Sequence, residues 1–270
     1  MKSLPSPTTA VDVNDPTDFV TQHYRDFLGR EPDAPGLNFW RAEIESCGTE
    51  PVCVEAKRVN VSAAFFLSIE FQETGFLAYK AYKAAFGNMP GTPVPLTFAE
   101  FLADKQQLAS GVVIGRPDAE TQLEQNKVAY FNAFVQRDRI NTAYPVSLTP
   151  GEFVDALNTN TGGSLTLEER TAAVAEFGGT ATIEDAGARA RALRRVVENA
   201  EFSRRERNRA FVLMEYFGYL RRNPNEAPDA NFSGYDFWLN KLEQFNGDFV
   251  RAEMVKAFIT SDEYLRRFGF

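Results

Sequence analysis

Histidine and cysteine are scarce in this chain, and long apolar runs are missing. The 270 residues include one His and two Cys, and this shortage argues against a zinc centre, which needs several such ligands. No run of about 18 consecutive apolar residues occurs, so the sequence predicts no membrane-spanning helix. Alternating polar and apolar positions, the pattern of a half-buried strand, are almost absent, which argues against a β-fold.

An excess of positive charge is also missing. The chain has 29 Lys and Arg against 37 Asp and Glu, which gives a net charge of −8. Nucleic acids and anionic membrane surfaces select positively charged proteins, so we expect neither of them as the main partner.

The chain does contain a helical spacing of apolar residues. Apolar positions recur three and four residues apart along most of the sequence, and most of the 24 Phe follow this spacing. The sequence therefore predicts an all-α fold, and the 44% of hydrophobic residues is enough for a sizeable core. We expect a flexible leader over residues 1–17, rich in Ser, Thr, Pro and Asp, and one continuous helical domain over residues 18–270.

Two copies of one pattern lie at the beginning and at the end of the chain. The matching positions, given for the first copy and then the last, are Tyr24 and Tyr216, Arg30 and Arg222, Asp33 and Asn225, Gly36 and Gly234, and Trp40 and Trp238. The closing segments over residues 64–71 and 257–264 match as well. A duplicated helical unit is a way to build an extended surface and seldom a reaction centre.

Two further copies are inferred between these ends. Phe71, Val135, Phe202 and Tyr264 fall at equivalent closing positions. We therefore predict an array of about four degenerate three-helix repeats, over residues 18–75, 76–138, 139–208 and 209–270. Each unit of such an array packs on its neighbours, and the outer edges of the first and last units differ from the inner ones.

The segment from Phe19 to Trp40 carries a family resemblance. Its pattern of Phe-Val, Tyr-Arg-Asp-Phe-Leu-Gly-Arg, Pro-Asp, Gly and Phe-Trp resembles the bacterial domain-of-unknown-function family numbered 4214, which is distantly similar to the helical linker domains of phycobilisomes. The resemblance implies a helical module, often carried at the end of large secreted or surface bacterial proteins. No catalytic residues are established for that family, so the resemblance implies none here.

Cys47 and Cys53 flank a short Gly-Thr-Glu-Pro turn. A turn of this composition brings two Cβ atoms within bonding range, so we expect a structural disulfide, with two free thiols as the alternative. A disulfide points to an oxidising, extracytoplasmic location.

A loop in the last copy has the spacing of a calcium site. Asp229, Asn231 and Ser233 would supply side-chain oxygens, Tyr235 a backbone carbonyl, and Asp236 stands at the next position. The usual glutamate at the twelfth position is replaced by an asparagine. The alternative is an Asx-rich turn, with Asp236 as a helix cap.

Three other features favour structural interpretations. The pattern predicts a long Arg-rich helix from residue 180 to about residue 219, whose cations form a solvated or internally paired face or, in the alternative, an anion site. His23 lies between apolar neighbours in the first helix and is predicted to be a structural residue, packed or partly exposed. Trp40 and Trp238 are predicted to anchor the core.

These observations favour a non-enzymatic helical interaction or scaffold module of a secreted or cell-surface bacterial protein, acting in adhesion or assembly, with a protein or a surface glycan as partner. One alternative is an all-α hydrolase that acts on polysaccharide or cell wall through two carboxylates. Another is a self-associating subunit of a filament or surface layer, in which the outer edges of the first and last units stack end to end.

Overall fold

A computed structural model describes residues 11–88 and 92–270, and these residues form helices joined by turns, without a β-strand. The helices of the first half are α1 Pro16–His23, α2 Ala34–Glu45, α3 Pro51–Leu67, α4 Ile69–Gln72, α5 Gly75–Phe86, α6 Phe98–Ala109, α7 Ala119–Phe134 and α8 Asp138–Ala143. Those of the second half are α9 Pro150–Asn160, α10 Leu167–Ala175, α11 Ala186–Val197, α12 Ala200–Met214, α13 Ser233–Gln244, α14 Met254–Ile259 and α15 Asp262–Arg266. None of these helices is both long enough and apolar enough to cross a membrane.

Local capping explains where many helices begin. Thr97, Thr149 and Thr166 each form a capping box with a glutamate three residues later, at the starts of α6, α9 and α10. Asp15 caps α1, because its side chain accepts hydrogen bonds from the next two backbone amides in the helix.

The ordered domain begins earlier than predicted. Residues 1–10 of the predicted flexible leader lie outside the described residues. Within residues 11–17, Val13 is fully buried and α1 already begins at Pro16. The leader prediction is therefore wrong for this part, because apolar contact and a helix cap fix a segment whose composition is typical of a loop.

The predicted Arg-rich helix is interrupted. Glu198 ends α11, and Asn199 adopts an extended conformation from which its side chain caps α12. The hydrogen bond from the Phe202 backbone amide to the Asn199 side chain measures 2.9 Å. A local Asx cap thus overrides the continuous helical periodicity at this point.

The closing position is shared by three of the four residues that sequence matching assigned to it. Phe71, Phe202 and Tyr264 are each the third residue of a helix whose N-cap side chain accepts a hydrogen bond from their backbone amide. Val135 instead follows the last residue of α7, and the third residue of the next helix is Ile140. The proposed equivalence of Val135 is therefore wrong.

Each end copy contains a π-helical turn directly after its first long helix. The turns run over Tyr24–Leu28 and Glu215–Leu220. Both end in a residue of left-handed backbone conformation, Gly29 with φ of 71° and Arg221 with φ of 60°. Glycine adopts this conformation without strain, whereas an arginine must be held in it by its contacts.

The two end copies pack directly against each other. Helix α3 contacts α14, and the two π-helical turns meet. The rings of Phe66 and Phe211 stack with centroids 4.3 Å apart, and those of Phe27 and Tyr219 lie 5.1 Å apart. The chain therefore does not form an open row of units with distant ends, because burial of these aromatic faces joins the first unit to the last.

Candidate functional site

The residues shared by the two end copies bind one another. In the first copy, Arg30 reaches from the loop before α2 to Glu70 on α4, with N–O distances of 2.7 and 2.8 Å. Its guanidinium lies 4.9 Å from the centre of the Tyr24 ring. Asp33 accepts a longer hydrogen bond of 3.4 Å from Arg30 and caps α2. We call this set the first arginine node.

The last copy repeats the arrangement with Arg222. This guanidinium donates to Glu263 at 2.5 and 3.0 Å and to Asp229 at 2.7 Å, and it lies 5.4 Å from the Tyr216 ring centre. The counterpart of Asp33 is therefore Asp229 and not Asn225 as sequence matching suggested. The extra residues of the last copy had moved the matching aspartate further along the chain. We call this set the second arginine node.

A glycine closes each node. A Cβ atom added at Gly36 would collide with the hydroxyl of Tyr24, and one added at Gly234 would lie 2.7 Å from the hydroxyl of Tyr216. Real Cβ atoms do not approach other atoms this closely, so any side chain would push the tyrosine away from the arginine. The repeated Tyr, Arg and Gly thus form one structural unit.

The same helices expose aromatic side chains at equivalent positions. Phe39 on α2 and Phe237 on α13 are both 57% exposed, although both are large and apolar. Each contacts the neighbouring tryptophan edge to face, with centroids 4.8 Å apart at Trp40 and 5.1 Å apart at Trp238. We call these two surfaces the twin aromatic faces.

The tryptophans are half-buried beneath those faces. Trp40 packs on Phe65, and Trp238 packs on Phe258, at centroid distances of 6.0 and 5.6 Å. They contact the core from its margin and are not part of its fully buried interior. Trp40 and Trp238 thus pack against the core as predicted, but they are only partly buried.

A buried carboxylate joins the end copies. Asp26, on the first π-helical turn, accepts a 2.8 Å hydrogen bond from Arg267 and lies 3.6 Å from Arg221. Lys105 donates to the Asp26 backbone carbonyl at 2.8 Å. Burial, together with the nearby Arg221, lowers the pKa of Lys105 to about 7. Three basic side chains therefore converge on Asp26.

His23 is a packed structural residue, as predicted. Its Nδ1 donates to the Phe19 carbonyl at 2.7 Å, which leaves Nε2 to accept from the Ser62 hydroxyl at 2.8 Å. Burial lowers the His23 pKa to about 4. Both ring nitrogens are occupied, so this histidine has no proton-transfer role at a surface site.

Glu215 is the counterpart of His23 in the last copy, one residue before Tyr216. It is fully buried, and neither carboxylate oxygen has a hydrogen-bond partner among the described residues. Burial raises the pKa of Glu215 well above its ordinary value. Burial therefore favours the neutral form at this position, as it does for the imidazole in the first copy.

The predicted calcium residues have partners within the protein. The Asp229 carboxylate binds Arg222, and the Asn231 side chain accepts from the Ser233 backbone amide at 2.9 Å. Tyr235 is buried and donates its hydroxyl to a backbone carbonyl of α12 at 3.1 Å, and Asp236 is exposed in the first turn of α13. The loop has the hydrogen bonds of an Asx turn, with a guanidinium beside the first ligand position.

The cysteines and the arginine-rich helices have structural roles. Cys47 and Cys53 form a disulfide, with Cα atoms 5.5 Å apart, that ties the end of α2 to the first turn of α3. The arginines of α11 and α12 are mostly paired within the fold, as the structural interpretation predicted. Their partners include Glu124, Glu176, Glu198 and Glu201.

Sequence reasoning missed several residues at these sites. Asp26, Glu70 and Glu263, which carry the contacts described above, were not singled out, and neither was the buried Glu215. Glu70 and Glu263 occupy the same place in the two closing segments, and this recurrence was a usable signal. The pairing of Asp26 with Arg267 spans 241 positions and leaves no local pattern.

A family model described as "Domain of unknown function (DUF4214)" matches residues 8–75 and 193–268, which together make up more than half of the chain and contain both end copies. No curated protein matches the chain, and no solved structure matches it.

Proposed function

This chain belongs to the DUF4214 family, and we propose that it is a non-enzymatic interaction module of a secreted or cell-surface bacterial protein, with a role in adhesion or assembly. The proposal rests on the observation that the residues shared by the two end copies contact one another. In both end copies the Tyr, Arg, Gly and carboxylate positions bind one another. The two arginine nodes therefore hold each end copy together, and the same copies expose the twin aromatic faces.

The disulfide supports the proposed location. Disulfides persist in oxidising compartments and are rare where thiols are kept reduced. The bond between Cys47 and Cys53 is therefore in keeping with a protein that works outside the cytoplasm.

The geometry gives less support to a carboxylate-dependent hydrolase. Such an enzyme needs one carboxyl group that stays protonated to act as the general acid. The carboxylates that converge in the second arginine node, Asp229 and Glu263, both accept hydrogen bonds from Arg222. Both carboxylates are therefore engaged by one guanidinium within the second arginine node.

The self-assembly alternative is also weakened. It relied on outer edges of the first and last units that stack between molecules. These units instead contact each other within one chain, through Phe66 with Phe211 and Asp26 with Arg267. We therefore favour contact with a protein partner through the twin aromatic faces.

The proposal is tested by binding to envelope proteins of the bacterium that makes this chain. We expect labelled protein to bind purified envelope fractions saturably, and protease treatment of those fractions to abolish binding. The double variant F39S/F237S should lose most of the affinity, because exposed aromatic residues dominate protein interfaces.

The matched control is L167S. Leu167 is 79% exposed in α10, outside the end copies, so its substitution removes a similar exposed apolar side chain elsewhere. Equal binding by the wild type and F39S/F237S, or an equal loss in L167S, would contradict the proposal. Release of sugars from envelope polysaccharide by the wild type would favour the hydrolase.

A further inference from the structure

A cleft of about 560 Å³ lies between the C-terminal ends of α5 and α9 and the side of α12. Its cationic side chains are Lys83, Arg205 and Arg209, and the only carboxylate on its wall within the described residues is Glu206. We call it the basic cleft. An excess of cations at one place is notable on a protein whose net charge is −8.

The cations of the cleft are held in place but only partly neutralised. Lys83 is 4% exposed and donates to the amide oxygen of Asn88, an uncharged partner. Arg209 approaches Glu206 only to 3.9 Å, whereas the other oxygen of Glu206 accepts from the Tyr79 hydroxyl at 2.7 Å. A buried ammonium and a weakly paired guanidinium thus share one wall.

Arg205 completes the positive side of the cleft. It donates to Glu201 at 2.7 Å and to the Gly162 carbonyl at 2.7 Å. The second contact fixes the guanidinium across the loop that follows α9. A preorganised cation of this kind loses little side-chain entropy when it binds an anion.

The rest of the wall is polar. It consists of Gly87, Asn88, Thr159, Asn160, Thr161 and Gly162, and no aliphatic or aromatic side chain lines the cleft within the described part of the chain. Two backbone carbonyls near the end of α5 accept hydrogen bonds from the Asn160 amide, at 2.9 and 3.0 Å. Their partial negative charge is therefore already paired and opposes an anion less. The cleft therefore suits a hydroxylated, anionic ligand and not an apolar one.

Burial disfavours the positive charge of Lys83 while no anion is bound. The pKa of Lys83 is lowered by burial, and the neighbouring Arg209 lowers it further, with Glu206 acting in the opposite direction. An anion placed between the ammonium and the guanidinium would make an attractive contact with each of them.

We propose that the basic cleft binds an acidic saccharide, with the anionic group held by Lys83, Arg205 and Arg209 and the sugar hydroxyls by the Asn and Thr side chains. Other arginines of α11 and α12 do not line the cleft, and several are paired elsewhere. Arg191 and Arg195 share Glu176, and Arg194 binds Glu124. This inference goes beyond the proposed function and does not depend on the twin aromatic faces.

Calorimetric titration at low ionic strength tests the proposal, with glucuronate as the ligand and with glucose and inorganic phosphate as comparison probes. We expect saturable binding of glucuronate that weakens as salt is added. The variant R209Q should bind at least about tenfold more weakly, because a hydrogen bond to a charged group is lost. R205Q is a second variant, in case R209Q fails to fold.

The matched control is R204Q. Arg204 lies on the same helix and pairs with Glu201, but it does not line the cleft. Unchanged glucuronate affinity in R204Q, together with the loss in R209Q, would support the proposal. No saturable binding, equal binding of glucose, binding of phosphate alone, or an equal loss in R204Q would each overturn it. A change in envelope binding by F39S/F237S has no bearing on this outcome.

Discussion

Single residues explain why one pattern occurs twice in this chain. Arg30 and Arg222 each stand over a tyrosine ring and bind a glutamate on a short closing helix. A bidentate arginine–carboxylate pair is among the more directional polar contacts in proteins. The repeated residues therefore report how each end copy is held together, and a ligand must be sought elsewhere on the surface.

His23 and Glu215 occupy equivalent positions and have opposite titration behaviour. The folded state keeps His23 neutral to about pH 4, whereas the ordinary pKa is 6.5. Stability from this group is therefore lost as the pH falls from about 6.5 to 4. The raised pKa of Glu215 gives the reverse, because its contribution is lost as the pH rises above the ordinary value of 4.5.

We expect the two effects to oppose each other in the wild type between about pH 4.5 and 6.5. The variant E215Q should therefore lose stability as the pH falls through this window, by up to about 1.4 kcal/mol per pH unit. H23Q should lose stability as the pH rises through it. Urea unfolding at several pH values measures these slopes.

Each variant serves as the control for the other, since both alter the core beside the junction of the end copies. The difference in slope between E215Q and H23Q is the decisive quantity. Parallel pH profiles of the two variants would show that these groups titrate alike in the folded and unfolded states.

At the scale of elements, the two end copies differ in the loop between the π-helical turn and the next helix. The loop between the second π-helical turn and α13 is longer than its counterpart before α2, and its Asp229 still reaches the arginine node. The added residues supply an Asx turn through Asn231. The calcium-like spacing therefore coincides with a structural role for the same side chains.

We expect calcium not to stabilise this loop. A cation at the first ligand position would have to displace the Arg222 guanidinium from Asp229, which leaves a mostly buried arginine without one of its partners. Thermal unfolding in calcium and in excess chelator should give the same melting temperature. A melting temperature that rises with calcium and falls back with chelator would restore the calcium interpretation, and loss of that rise in N231A would locate it.

At the scale of the whole molecule, the junction of the first and last copies closes the fold. It combines stacked aromatic rings with the Asp26 cluster, where Arg221 and Arg267 approach one carboxylate. Burial of the aromatic rings supplies apolar contact area. The buried charges stabilise one another, because a charge removed from water without a partner destabilises the fold.

We expect D26N to destabilise the protein by roughly 2–4 kcal/mol, because two partly buried guanidinium groups lose their carboxylate. Chemical unfolding measures this change. The control E55Q removes a pair with Lys256 that joins the same two copies at an exposed position, and it should change stability by less than about 1 kcal/mol. Equal effects of D26N and E55Q would show that Asp26 does not hold the copies together.

Much of the fold followed from the sequence, and parts of the sites did not. The helical class and the disulfide were predicted, because each depends on residues close in the chain. Asn225 was wrongly matched to Asp33. The insertion in the last copy moves the equivalent aspartate to position 229, where it still binds Arg222.

The sequence by itself determined that this is a helical protein with one unit repeated at both ends, since periodicity, caps and motif residues act over a few positions. Only the tertiary structure decided that the ends meet. The contact between Asp26 and Arg267 joins residues 241 positions apart, and the basic cleft brings Lys83 of α5 and Arg209 of α12 to one site. Such contacts depend on how helices pack, and many residue pairs in a sequence of this length offer the same chemistry.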